Sequence, residues 1–245
     1  CNSSVLLHDI AAGCYDVTAW NTDIDYCATN DYRDKWKLNM STRTYYESTI
    51  SPILLDSLFD GQTVFMTPDY VLHANVEKFD IQRDKEKQIL TLCPDSMVTT
   101  VELKIGGIKG LHLVKNVCGT LTNVAKRRFI AYDNYVKDSA VVIFNCNWNR
   151  EDSLVCSRFY LFGLRPDGTD NHNHQLTLFF WLQRKNIFVP VDVTEIINKH
   201  SNDEHLVSLE INSLNIDLAD YADVPGMFDV FVDDWTEGEY HDVNW

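Results

Sequence analysis

The chain lacks most of the signals that announce a function. No apolar run approaches the roughly 20 residues needed to cross a bilayer as a helix. There is no Gly-x-Ser-x-Gly, no His-Glu-x-x-His, no phosphate loop and no set of cysteines at zinc-ligand spacing. Gly106-Gly107 lacks the following helix of a nucleotide site, and carboxylate pairs such as Asp23 with Asp25 are commonplace in an acidic chain. These absences leave no catalytic residue to name, no metal to expect, and a chain that reads as a non-enzyme. Basic residues are also in deficit, 21 against 36 acidic, for a net charge of -15. Nucleic acid and anionic membrane surfaces are therefore poor partners, because both need basic patches. No linker or fixed-period repeat divides the sequence, so residues 1–245 read as a single domain with an acidic C-terminal extension from about residue 213. No charged leader with an apolar stretch is present, and the start at Cys1 reads as a mature N-terminus after signal-peptide removal or as a boundary.

What is present points outside the cell. Apolar residues make up 45% and aromatics 12%, enough for a packed core. Seven cysteines are scattered at Cys1, Cys14, Cys27, Cys93, Cys118, Cys146 and Cys156. Two sequons, Asn2-Ser3-Ser4 and Asn39-Met40-Ser41, mark Asn2 and Asn39 as glycosylation sites. Together they indicate a secreted, extracellular glycoprotein with three disulfides and one thiol left over, their pairing open.

The dominant pattern is alternation with period two. Val101, Leu103 and Ile105 alternate with Glu102 and Lys104, and Leu176, Leu178, Phe180 and Leu182 follow the same rule apart from Phe179 and Trp181. Val141 to Phe144 and Phe159 to Phe162 are denser apolar runs, as where both sheet faces are covered. In the run from Trp36 to Tyr46, a glycan on Asn39 would set the outward parity, so Trp36, Leu38 and Met40 point inward. Helical signals are few: a short helix after Ser51-Pro52, and a better one over Asp192–His200. The expected class is all-β, antiparallel, with one helix packed outside.

The order of elements over residues 140–200 resembles the lipocalins. Ala140–Trp148, the turn from Asn149 and the cysteine-bearing run to Tyr160 are similar to that family's paired strands. Leu178-Phe-Phe-Trp-Leu-Gln-Arg184 resembles the strand that closes the barrel before the helix. Gly13-Cys-Tyr-Asp-Val-Thr-Ala-Trp20 resembles the first strand, and Asp25–Asn30 the cysteine-containing segment of insect lipocalins, although Tyr15 stands where the family has tryptophan. The resemblance implies an up-and-down β-barrel, with a β-sandwich as the alternative. It also implies a calyx lined by Trp36, Leu38, Met40, Tyr70, His73, Phe144, Phe159, Leu161 and Phe180. The expected function is a carrier or scavenger of one small ligand, a tetrapyrrole-like hydrophobe such as a bilin or a biogenic amine. The alternative is an acidic protein that captures a basic partner, a cytokine or protease, on its surface.

Four further features have ordinary structural readings beside functional ones. Asp170-Asn-His-Asn-His174 offers two histidines at i, i+2 but looks like a solvated hairpin tip. Lys126-Arg-Arg128 is the basic cluster, a place for an anionic ligand group or a solvated turn. His73 lies in an apolar strand, either as a polar handle or as a satisfied strand histidine. The stretch from Asp229 to Trp245 mixes carboxylates with aromatics, suited to a cation or to a solvated tail.

Overall fold

A computed structural model of the protein describes residues 5–31, 33, 37–45, 58–59, 64–85, 87–131, 138–151, 153–165, 173–183, 185–201, 204–212 and 214–222. The first strands are β1 (Gly13–Trp20), β2 (Cys27–Asn30), β3 (Asn39–Thr42), β4 (Val64–Met66), β5 (Leu72–Ile81) and β6 (Asp95–Ser96). There follow β7 (Thr99–Ile105), β8 (Ile108–Lys109), β9 (Asn116–Ala125), β10 (Arg127–Phe129), β11 (Ser139–Asn145) and β12 (Asn147–Asn149). The last are β13 (Leu154–Leu161), β14 (Gln175–Trp181), β15 (Asn186–Asp192), helix α1 (Thr194–Asn198), β16 (Leu206–Ile211), β17 (Ile216–Asp217) and helix α2 (Ala219–Ala222).

Two open sheets hold the main core. One has the order β15-β14-β9-β11-β4, the other β12-β13-β7-β16. Odd positions of β7, β13 and β16 (Val101, Leu103, Ile105, Val155, Phe159, Leu161, Val207, Leu209 and Ile211) meet Val117, Leu121, Val142, Phe144, Leu178, Phe180, Ile187 and Val189 of the larger sheet. The period-two pattern thus does what a half-buried strand requires. The larger sheet is apolar on its other face too, where Cys118, Val141, Ile143, Phe179 and Phe188 form a second cluster. That is the physical meaning of the dense run at Val141–Phe144; in the other, Phe159–Phe162, Phe159 and Leu161 belong to the main core and Phe162 to a smaller one. A smaller core joins the sheets β1-β5-β6 and β10-β3-β2 around Met40, Val71, Met97 and Phe162.

The all-β expectation holds; the barrel does not. In an up-and-down barrel, sequence neighbours pair antiparallel until the sheet closes. Here β4 joins β11 in parallel and β16 joins β7 in parallel, and β9 lies between β11 and β14. The sheets end in edge strands, and their apolar faces are covered by each other. Where a calyx would open, Phe144 and Phe159 stack with ring centroids 3.9 Å apart, so the interior is filled.

Several local expectations are corrected. Leu38 and Met40 do face the smaller core, but the opposite face of β3 is closed as well. Asn39 is only 3% exposed; its Nδ2 donates to the Lys37 carbonyl at 2.8 Å and its Oδ1 accepts from Asn30 Nδ2. An amide held in that way cannot carry a glycan, so the sequon at Asn39 is structural. Cys14, Cys27, Cys93, Cys118, Cys146 and Cys156 are all free thiols, against the expected bridges. The helix expected over Asp192–His200 is shorter, because β15 runs to Asp192, whose Oδ1 accepts the Thr194 N–H at 2.9 Å. Residues assigned to a C-terminal extension start inside the core: Leu214 and Leu218 are buried there. Cys1, Asn2, Trp36, residues 51–57 and the acidic end from Asp229 lie outside the described residues.

Candidate functional site

The outward face of the four-stranded sheet is built by the even positions that the core rejects. Register sets them in rungs. Arg158 of β13 lies opposite Glu102 of β7, which lies opposite Ser208 of β16. On the next rung Asn147 of β12, Cys156 of β13, Lys104 of β7 and Glu210 of β16 follow one another. Cross-strand neighbours of this kind sit within reach of long side chains. Lys104 Nζ meets Glu210 Oε1 at 3.2 Å, and Arg158 Nε stands 3.8 Å from Glu102 Oε1. Two cations and two carboxylates make this face charge-balanced on a chain of net charge -15.

The face is dished between the rungs. An open depression of about 210 Å³ is lined by Glu102, Lys104, Asn147, Cys156 and Arg158, with Leu103 and Ser157 contributing. Pockets that engulf a small molecule run from about 300 Å³ upward, so this one suits a single unit of a longer ligand lying across the sheet. The third rung ends the face with an aromatic pair. Tyr160 of β13 and Tyr70 meet with ring centroids 5.4 Å apart at 50°. Tyr70 is 46% exposed.

Its loop is held from a distance by Asn21. The Asn21 side chain donates from Nδ2 to the Tyr70 carbonyl at 3.0 Å and accepts the Leu72 N–H at Oδ1 at 2.8 Å. The Asn21 N–H also donates to the Leu72 carbonyl. One asparagine thus continues the β1–β5 ladder past its end and fixes the Tyr70 backbone.

Of the eight described residues expected to line a ligand cavity, only Tyr70 reaches this face. Phe144, Phe159, Leu161 and Phe180 belong to the main core, and Leu38 and Met40 to the smaller one. His73 is buried on β5 opposite Trp20. The basic cluster and His174 have structural partners, while residues 170–172 of the histidine run and the acidic end lie outside the described residues. Arg127 pairs with Asp138, Arg128 donates from Nη1 to the Met97 carbonyl at 2.9 Å, and Lys126 lies 4.4 Å from the Phe65 ring centroid. The basic cluster therefore fastens β10 in place. His174 is buried, with Nδ1 3.1 Å from the Thr122 carbonyl, and the described residues hold no metal-ligand cluster.

Sequence reasoning identified Glu102 and Lys104 as outward residues of one strand. It missed Arg158, Asn147 and Glu210 as their partners, because strand adjacency across 50 or 100 residues leaves no local mark.

Residues 8–145 match the model of a family described as a domain of unknown function, DUF5119. The chain belongs to that family. The lipocalin resemblance over residues 140–200 is overturned by this match and by the sheet order. No curated protein matches the chain. Among solved structures, a candidate adhesin from Bacteroides ovatus superposes with a TM-score of 0.60 at 17% identity, covering 83% of this chain and 76% of that one. It shows that the DUF5119 chain shares its fold. A polysaccharide-binding candidate from Bacteroides thetaiotaomicron, described as DUF1812, gives 0.47 at 13% identity, with 84% and 72% covered. The fimbrial anchor protein Mfa2 from Porphyromonas gingivalis gives 0.39 at 10% identity, with 69% and 56% covered. The expected small-molecule carrier is overturned with the barrel, because the filled core removes the place for its ligand.

Proposed function

We propose that this DUF5119 protein is a non-catalytic binding protein of the adhesin kind, acting at a cell surface or outside the cell. Its recognition face is the outward side of the four-stranded sheet, and its ligand is a saccharide chain. The observation that carries the reading is the run of polar rungs beside Tyr70 and Tyr160, set over a shallow depression. Sugar hydroxyls both donate and accept. A face that alternates guanidinium, ammonium, carboxylate and amide groups meets both needs. An exposed tyrosine adds a flat apolar surface for a sugar's C–H face, while its hydroxyl stays in water. The fold shared with a candidate adhesin agrees with this assignment.

Affinity electrophoresis of the full chain through gels containing yeast mannan, barley β-glucan or galactan tests it. Retardation by at least one of them is expected. Arg158→Ala and Tyr70→Ala should each weaken it about tenfold, with the thermal midpoint unchanged. Absence of retardation by all three, or retention that both variants leave intact, overturns the reading.

A further inference from the structure

The charge arrangement of this face goes further than saccharide binding. We infer that Glu102 and Glu210 are specificity-determining residues that restrict the face to uncharged saccharides and reject acidic ones. The inference rests on the reading above.

Each cation on the face is answered by a carboxylate on the neighbouring strand. Lys104 has Glu210 at 3.2 Å, and Arg158 has Glu102 at 3.8 Å. Register imposes this pairing, since the partners lie directly opposite each other. Arg158 remains open: its side chain is 66% exposed, and its spacing from Glu102 is wider than a hydrogen bond. It can donate to a hydroxyl without losing its neighbour. A uronate or sulfate reaching the same guanidinium would sit beside the Glu102 carboxylate, and like charges at such range repel. The far field acts in the same direction, because the whole chain carries -15 and would slow the approach of a polyanion. A neutral hydroxyl-rich chain meets neither barrier. Selection against a competitor by a fixed repulsive group is the usual way a polar site discriminates between ligands of similar shape.

The test compares the wild-type chain with the double variant Glu102→Gln/Glu210→Gln, which keeps side-chain shape and frees both cations. A second double variant, Asp80→Asn/Asp84→Asn, makes the same change in net charge on and just beyond β5, a strand of a different sheet. Each protein is run through gels containing neutral galactan or the polyuronate polygalacturonate, at low salt and at about 0.5 M salt. The wild type should be retarded by galactan at least about tenfold more strongly than by polygalacturonate. The face variant should gain polygalacturonate binding by a similar factor at low salt and lose the gain at high salt. The β5 variant should gain nothing comparable. Equal retention of both polymers by the wild type overturns the inference. So does a face variant that gains nothing, or one matched by the β5 variant. In those cases galactan retention still stands for the binding reading. If no protein is retained by either polymer, the inference falls, and the binding reading falls with it only where yeast mannan and barley β-glucan also fail to retard the chain.

Discussion

Gly119 lies opposite Phe144 on the neighbouring strand, and the phenylalanine ring lies over its backbone. A Cβ placed there would come within 2.5 Å of the ring. The absence of a side chain at one position thus makes room for the Phe144–Phe159 stack that fills the space between the sheets. Gly119→Ala should destabilise the protein by about 1–3 kcal/mol in urea unfolding, the usual penalty of overpacking. The loss should shrink when combined with Phe144→Leu, which withdraws the ring. The thiols offer a second check at this scale. Burial pushes Cys27 and Cys146 up to about 12, and raises Cys118 as well. Iodoacetamide should label exposed Cys14 and Cys93 in the native protein and reach Cys27, Cys118 and Cys146 only after unfolding. Their pH effect has a definite sign. The folded values lie above the ordinary thiol value of 9.0, so stability from these groups is intact below that pH. It is lost as pH rises from there towards 12, by up to about 1.4 kcal/mol per pH unit for each thiol. Urea midpoints measured from pH 7 to 10.5 should fall accordingly, and less steeply in Cys146→Ala.

Among the elements, β16 depends most on what precedes it. It enters the four-stranded sheet as a parallel edge strand, so a crossover must deliver it in register. The residues before it supply the anchor. Glu204 accepts the Ser201 N–H at 2.8 Å and lies 2.8 Å from His200 Nδ1, while its carbonyl accepts the Thr99 hydroxyl at the start of β7. Arg165 donates to the His200 carbonyl from the far end of β13. The Ser201 N–H and then His200 hold the Glu204 carboxyl below the usual carboxylate range. A depressed carboxylate contributes stability above its unfolded value, near 4.3, which disappears as pH falls through the lower native value. Glu204→Gln should therefore lower the urea midpoint at pH 7, and the difference from wild type should close on acidification below about pH 4. A constant difference across that range would show that the carboxylate's charge plays no part in holding β16.

At the scale of the whole molecule, composition and alternation were enough to establish an all-β protein with a real core. Val101, Leu103 and Ile105 point in, and Glu102 and Lys104 point out, because side-chain direction along a strand is a local property with period two. The dense runs at 141–144 and 159–162 likewise marked strands covered on both faces, whereas 176–182 read as simple alternation and proved to be covered on both faces as well. What parity could not supply was the identity of each strand's neighbour. The same inward residues can line a closed barrel or meet a second sheet, and the choice lies in hydrogen bonds between segments far apart in sequence. Asn39 illustrates the limit. Its opposition to Met40 was legible, but whether its own face met solvent depended on Asn30 and Ser41. The site followed the same rule. Glu102, Lys104, Arg158 and Glu210 are ordinary surface charges as a sequence, and become a charge-balanced face only when β7 lies between β13 and β16. The sequence by itself determined which residues turn inward and how acidic the surface is, since both are summed from local chemistry. Only the tertiary structure decided that the sheets stay open, that the interior is filled, and which charges stand side by side, because those depend on long-range pairing that leaves no local signature.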